Sequence, residues 1–416
     1  MPDRLSVYDR AELATDVGPG PRNVAVLLVL AGPVPDVDEV RRRMAAAVAH
    51  EPRLGAQVRR TWRGPVWQGG SVDLREHVRV LSAPGADPVE IAVDELRRPM
   101  PPGHPAWRLT LVDLADDERS ALVWTNGHVL GNGPSVLGVL LDHLTDGPPA
   151  VPWRTPGRRP SPGRDPRVRA GRAGRSALVR PVTAGLTAAP VSVDVADLRA
   201  GARTCGATVN DALLWAWGRA FRRADAAAGG PGERVVVSVP VTVPGSRFGN
   251  RVGALRVPVP DGRGSAAEQL AALAARTRDA KRHVRPWTWA LAPAGVLVVR
   301  RLGLLPAMLR RQRLISTVVT HAPGPPDAMH VLGVPVVATV PLVPVVGNVT
   351  TAVAAVSVGG RLDAAVVCSP ESAGLAHVLA DDLRDGLAEV AALADAALTP
   401  TADARQAPRA AGRPGR

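Results

Sequence analysis

The sequence predicts an α/β protein made of two units of similar size joined by a polar linker. Its 416 residues exceed what one ordinary hydrophobic core organises, so two domains are expected. Strand-like and helix-like segments alternate on both sides of the middle of the chain, as in α/β units. Between them, residues 148–181 are rich in Pro, Gly, Arg and Ser, which is typical of a linker. We therefore expect domains at 1–147 and 182–396, and a disordered basic tail at 397–416.

The first unit opens on a run of apolar β-formers at residues 23–30. Asp36 can cap a helix whose apolar positions recur three and four residues apart, and Pro52 ends it. A polar turn at 116–119 separates two segments that can pair as a hairpin. Further strands are expected at 66–67, 78–80, 105–113 and 121–126, and further helices at 88–96 and 135–144.

The second unit repeats this alternation. Residues 208–211, Thr-Val-Asn-Asp, have the pattern of a capping box and open an amphipathic helix that ends before Gly229. Strands are expected at 190–195, 235–241, 316–320, 334–340, 352–358 and 362–367, and further helices at 265–282, 290–314 and 375–393.

The net charge of +13 is concentrated rather than spread. Residues 151–180 hold nine arginines and a single acid, Asp165. The rest of the chain is close to balanced, so a nucleic-acid-binding protein is not expected. The arginine run is either a solvated linker or a surface for anionic lipid or phosphate.

The cysteine count and the hydropathy pattern bear on the cellular compartment. Cys205 and Cys368 are the only cysteines, which offers neither a disulfide framework nor a zinc site, and no metal is expected. No apolar run reaches the length of a membrane span, so a cytoplasmic protein is expected. Residues 302–309 are apolar and flanked by arginines, which indicates either a core helix with basic ends or peripheral contact with an anionic membrane or a lipid inclusion. The flanking residues are Arg300, Arg301, Arg310, Arg311 and Arg313.

One histidine stands where enzymes tend to place reactive groups. Residues 120–126 predict a strand, His128 follows its end, and a glycine-rich turn leads into the helix at 135–144. Taken alone, the segment also fits a turn histidine followed by a capping asparagine, Asn132.

Residues 127–133, Gly-His-Val-Leu-Gly-Asn-Gly, resemble the His-His-x-x-x-Asp-Gly motif of bacterial wax ester synthase/diacylglycerol acyltransferases. These enzymes belong to the superfamily of CoA-dependent acyltransferases and condensation domains. The resemblance runs from about residue 5 to residue 395. Six other stretches match in the same order: residues 5–9, 105–107, 208–211, 249–252 with 256–260, 322–325 and 360–363.

The resemblance implies two chloramphenicol-acetyltransferase-like domains in a pseudo-twofold arrangement, with a channel between them that leads to the histidine. It also implies transfer of a fatty acyl group from acyl-CoA, as co-substrate, to the hydroxyl of a diacylglycerol or a long-chain alcohol. No bound cofactor is implied. His128 would act as general base, because a neutral imidazole can take the hydroxyl proton near neutral pH.

Several residues of the predicted site carry two interpretations. Gly127 and Asn132 replace the first histidine and the aspartate of the motif, and only Gly133 keeps the family residue. A non-catalytic acyl-binding relative and an acyltransferase of a specialised metabolite hydroxyl or amine therefore remain as alternatives. The resemblance places Asn210 and Asp211 in the channel, although they also fit a helix cap. Trp107 and His321 are further channel candidates that also fit core packing and a satisfied polar residue.

Overall fold

The computed structural model describes residues 3–116, 118–147, 171–242, 248, 252–282 and 286–398. Three predicted features lie wholly or mostly outside these ranges: most of the arginine run, residues 249–251 of the family resemblance, and the basic tail. Elements are numbered in chain order. The strands are β1 (Asp3–Arg4), β2 (Asn23–Leu30), β3 (Ala56–Thr61), β4 (Gly64–Gly69), β5 (Val78–Ser82), β6 (Trp107–Asp116), β7 (Arg119–Gly127), β8 (Thr187–Asp194), β9 (Val236–Thr242), β10 (Val252–Pro258), β11 (Thr317–Pro323), β12 (His330–Val331), β13 (Val334–Leu342), β14 (Thr351–Val358) and β15 (Arg361–Cys368).

The helices follow the predicted amphipathic segments, with some additions. The helices are α1 (Val7–Thr15), α2 (Val37–His50), α3 (Leu74–His77), α4 (Pro88–Arg97), α5 (Gly133–His143), α6 (Val195–Thr204), α7 (Val209–Ala227), α8 (Ala266–Arg282), α9 (Pro286–Arg301), α10 (Leu305–Arg311) and α11 (Ala376–Leu398). The segment predicted as one helix at 290–314 is two helices, because the chain turns at Gly303 and restarts with Pro306 in the first turn of α10. Among the residues described, no helix combines the length and apolar character that crossing a membrane requires.

Two mixed sheets organise the molecule, and the predicted α/β class is confirmed. Within the described ranges, one six-stranded sheet has the order β12-β13-β2-β7-β6-β5 and the other β10-β9-β11-β14-β15-β8, and a separate three-stranded sheet has the order β1-β4-β3. Helices α2 and α5 pack on the first sheet, and α6, α7, α8 and α11 pack on the second. Each half buries its own apolar core in this way.

One strand crosses between the halves. β13 follows the second half in sequence, yet it pairs antiparallel with β2 of the first sheet along Val336–Leu342. It also stays in contact with the second sheet, since the backbone N–H of Thr339 donates to Asp363 of β15 at 2.8 Å. A further apolar cluster packs α4 between β2 and β15. The division at 147 and 182 remains a prediction, and the first sheet needs residues from beyond it.

Candidate active site

A cavity of about 270 Å³ lies between the two halves, and His128 forms part of its wall. The first half contributes β2, the turn after β7 and the start of α5. The second half contributes β9, β11 and β14, and the crossing strand β13 completes the wall. Most lining side chains are Val, Leu, Ala and Pro, so the cavity suits an apolar ligand. Its more polar lining residues are Arg22, His128, Asn132, Thr320, His321 and Thr339.

His128 is held at the end of a central strand. β7 lies between β2 and β6 and ends at Gly127. The next backbone N–H, that of His128, donates to the carbonyl oxygen of Arg22 at 2.8 Å. The N–H of Leu130 donates to the carbonyl of Gly127 at 2.9 Å and closes the turn. The imidazole is therefore carried by backbone that the first sheet fixes on both sides.

Asn126 stabilises the turn from within the core. Its side chain is fully buried, and its amide donates to the carbonyls of Gly127 at 2.8 Å and Gly131 at 3.1 Å. Its carboxamide oxygen accepts from the indole N–H of Trp124 at 3.1 Å. Asn126 is not among the site residues that the sequence predicts. An asparagine inside a run of β-formers was the one available signal.

Asn132 is the N-cap of α5. Its carboxamide oxygen accepts from the backbone N–H of Ser135, and the residue lines the cavity together with Gly133. An asparagine satisfies an N-terminal N–H as well as an aspartate does. The departure from the family aspartate therefore keeps the cap and removes the charge.

The structure also accounts for Gly127 at the position of the first motif histidine. Gly127 is buried, and its N–H donates to the carbonyl of Ala106 at 2.9 Å. A Cβ at residue 127 would stand 3.3 Å from the Cβ of Ala106. A side chain at residue 127 would therefore require Ala106 to move by a few tenths of an ångström.

Burial, together with two neighbouring charges, sets the protonation state of His128. Burial lowers the pKa of His128 below its ordinary value of 6.5, and the Arg22 guanidinium lowers the pKa further. The Glu12 carboxylate acts in the opposite direction and raises it. Because the lowering prevails, the imidazole is neutral at neutral pH and can accept a proton.

His321 faces the same cavity from β11 of the second half. Its Nε2 lies 2.8 Å from the hydroxyl of Ser357, in hydrogen-bond contact. Burial lowers the pKa of His321 to about 4, so this imidazole is neutral as well. The cavity thus has a neutral histidine on each half.

Three predicted channel residues are not in the wall of this cavity, as far as the described residues define it. Trp107 is fully buried, stacks on Trp124 with ring centroids 5.1 Å apart, and donates its indole N–H to the carbonyl of Leu54. Asp211 completes the capping box of α7 and accepts the hydroxyl of Thr277 at 2.6 Å. Asn210 is half-buried in the first turn of α7. The packing and capping interpretations fit Trp107 and Asp211 better than channel roles.

A possible set of metal ligands lies away from the cavity. His50, Glu51 and His143 place one ligand atom each within 4.8 Å of one another, at the C-terminal ends of α2 and α5. None of the three lines the cavity.

Comparisons with known proteins identify the family and the fold of the chain. Residues 8–191 match the family model of the wax ester synthase/diacylglycerol acyltransferase catalytic domain, and residues 248–391 match that of the WS/DGAT C-terminal domain. Relatives from Mycobacterium tuberculosis and Mycobacterium bovis, named as putative diacylglycerol O-acyltransferases, are 24% identical over 414 residues, with 79% of this chain and 80% of the relative covered.

Solved structures show the same fold. The wax ester synthase/diacylglycerol acyltransferase of Marinobacter aquaeolei VT8 superimposes with a TM-score of 0.71 at 20% identity, covering 94% of this chain and 100% of the other. A starter condensation domain of rhizomide synthetase, in complex with C8-CoA and Leu-SNAC, gives a TM-score of 0.62 at 14% identity, covering 95% and 94%. Since the two family models together match more than half of the chain, it belongs to the wax ester synthase/diacylglycerol acyltransferase family of acyltransferases.

Proposed function

We propose that this protein transfers a fatty acyl group from acyl-CoA to a hydroxyl acceptor, with His128 as general base. The observation that carries the proposal is the position of a neutral, half-buried imidazole on the wall of an apolar cavity between the two halves. Family membership supports the same reaction class.

The proposed reaction needs a single proton acceptor. His128 takes the proton of the acceptor hydroxyl while its oxygen attacks the thioester carbonyl carbon. A C–O bond forms, the C–S bond breaks, and the imidazolium returns the proton to the departing CoA thiolate. The products are an ester and free CoA, and no covalent acyl-enzyme is required.

The acceptor we favour is a diacylglycerol or a long-chain alcohol. The apolar cavity wall supports an aliphatic ligand, because a strongly polar one would lose hydration there without gaining partners. The names of the mycobacterial relatives and of the Marinobacter enzyme support the same substrate class.

We further propose peripheral contact with an anionic lipid surface through α9 and α10. Large apolar side chains are exposed along this segment, and the sequence between residues 286 and 326 contains basic residues but no acids. Apolar side chains beside arginines are typical of helices that lie in a membrane interface. The exposed apolar residues are Val298, Leu302, Leu304, Met308 and Leu314.

The reaction can be tested with purified protein, palmitoyl-CoA and either hexadecanol or dioleoylglycerol, with ester and free CoA measured by mass spectrometry. We expect both products, and we expect kcat/KM to fall on acidification with an apparent pKa below 6.5, as the lowered pKa of His128 requires.

His128→Ala is the variant that tests the base, and His377→Ala, on the exposed surface of α11, is its matched control. We expect the first to lose about 100-fold or more in kcat and the second to keep the wild-type rate. An unchanged rate in His128→Ala would overturn the role of this histidine. Acyl-CoA binding without any ester would instead identify an acyl-binding relative.

A further inference from the structure

Arg22 brings a positive charge to the wall of the cavity that holds His128. A buried guanidinium without a partner is costly and lowers the pKa of a neighbouring imidazole. The family motif has an aspartate at position 132, whereas this chain has the uncharged Asn132. Position 132 therefore supplies no negative charge that could offset Arg22.

Glu12 of α1 provides that charge. Its Oε1 accepts from Nε of Arg22 at 2.7 Å and lies 2.6 Å from Nη2. The two side chains are only 11% and 15% exposed, so solvent screens this pair less than the surface pairs. Two nitrogens of the guanidinium contact the same carboxylate oxygen, and these two contacts restrain the orientation of the arginine.

Helix α1, which carries Glu12, is held in place at its N-terminal end. α1 begins with a capping box in which Ser6 and Asp9 bond reciprocally. Asp9 is buried and also accepts the indole N–H of Trp67 at 3.4 Å. Glu12 therefore projects from a helix whose start is anchored to the first half.

The link to His128 runs through the backbone of Arg22, whose carbonyl accepts the N–H of His128. We propose that Glu12 is a positioning residue for His128: it holds Arg22, and with it the carbonyl that fixes the histidine, and it offsets the arginine charge beside the imidazole. This inference rests on the proposed function, because it assigns His128 a role that needs fixed geometry.

The charged and titratable groups around this site act in known directions. Glu12 raises and Arg22 lowers the pKa of His128, whose own burial lowers it most. Burial also raises the pKa of Asp16, which the charges of Arg22 and Glu12 influence as well. His321, across the cavity, is neutral at neutral pH. Removing the Glu12 charge must therefore lower the pKa of His128 further.

The test compares Glu12→Gln with Glu12→Asp, which keeps the charge on a shorter side chain. Glu39→Gln is the matched control, because Glu39 pairs with Arg42 and Arg43 on α2 without lining the cavity. Two quantities are measured for each: kcat with palmitoyl-CoA, and the pKa of His128 by NMR of ring-labelled histidine, assigned with His128→Ala.

For Glu12→Gln we expect kcat to fall about tenfold or more and the pKa of His128 to move to lower pH. Glu12→Asp should keep the wild-type pKa of His128 and recover part of kcat, and Glu39→Gln should change neither quantity.

A Glu12→Gln protein with wild-type kcat, or with lowered kcat but an unmoved pKa of His128, would overturn the inference. If Glu12→Gln does not fold, Glu12→Asp decides: a pKa of His128 lowered despite the retained charge would overturn it. The titration needs no turnover. If the wild-type protein forms no ester, the proposed function fails while the NMR result still decides the role of Glu12.

Discussion

The carboxamide oxygen of Asn132 accepts two hydrogen bonds from Ser135, one from the backbone N–H at 3.1 Å and one from the hydroxyl at 2.8 Å. Asn132 therefore caps α5 and also forms part of the cavity wall. Asn132 thus caps the helix as an aspartate at this position would. In our proposal the negative charge that offsets Arg22 comes from Glu12, which pairs with it.

Two substitutions at Asn132 separate the cap from the charge. Asn132→Ala should destabilise the protein by about 1 kcal/mol because the N–H of Ser135 loses its acceptor. Asn132→Asp keeps the acceptor, and we expect wild-type stability and a kcat within about twofold. Urea unfolding and ester formation measure the two effects. A large gain in kcat for Asn132→Asp would mean that the natural site is impaired by the missing charge.

Asn126→Ala should affect both stability and rate. The change leaves the indole N–H of Trp124 and the carbonyls of Gly127 and Gly131 without this partner in the core, at a cost of about 2 kcal/mol or more. The turn that carries His128 also loses its internal support, so kcat should fall. His377→Ala, on the exposed surface of α11, is the control and should change little. Equal behaviour of the two variants would contradict the role given to Asn126.

The lowered pKa of His321 predicts that the stability of the protein depends on pH. Its pKa is about 4 in the folded protein against an ordinary value of 6.5, so between these values the unfolded chain binds more protons. The contribution of neutral His321 to the free energy of unfolding is present above pH 6.5. It is lost as the pH falls toward 4, by at most about 1.4 kcal/mol per pH unit.

Urea unfolding of the wild type and His321→Asn at pH 7 and pH 5 measures this contribution. The wild type should lose more unfolding free energy than the variant over this interval. The exposed His377→Asn should behave like the wild type, and a parallel loss in His321→Asn would refute the assignment.

Two helical glycines should respond in opposite ways to alanine. A Cβ on Gly201 of α6 would stand 1.8 Å from the carbonyl oxygen of Val390 in α11, so Gly201→Ala should destabilise by about 2 kcal/mol or more. A Cβ on Gly295 of α9 meets nothing within 4 Å, and Gly295→Ala should stabilise by about 0.5–1 kcal/mol. Thermal unfolding of the two variants checks the close packing of α6 on α11. A neutral Gly201→Ala would be inconsistent with it.

Local patterns were sufficient for much of the fold. Residues 23–30 were predicted as a strand and are one, because apolar β-formers occupy the whole segment. α6 was missed, since its cap Asp194 is also the last residue of β8 and the predicted strand continued to residue 195. The pairing of β13 with β2 could not be predicted, because a strand's own residues do not specify its neighbour across 300 positions of chain.

The site shows the same limit. His128 stood out because a strand end, a glycine turn and a helix start meet there. Glu12, Arg22 and Asn126 carried no comparable pattern. Their roles depend on tertiary contacts that bring an acid, an arginine and an amide to one turn. From the local sequence alone, polar residues at such positions are predicted to lie on the surface or in loops.

The crossing of β13 has a consequence for synthesis of the chain. Until residues 334–342 leave the ribosome, β2 has no partner on its outer side, and the first half presents an open row of backbone donors and acceptors along Asn23–Leu30. The half that carries His128 is therefore synthesised first, but its sheet is complete only after β13 has been synthesised. Until then the nascent chain must keep the exposed edge of β2 from pairing with a wrong strand.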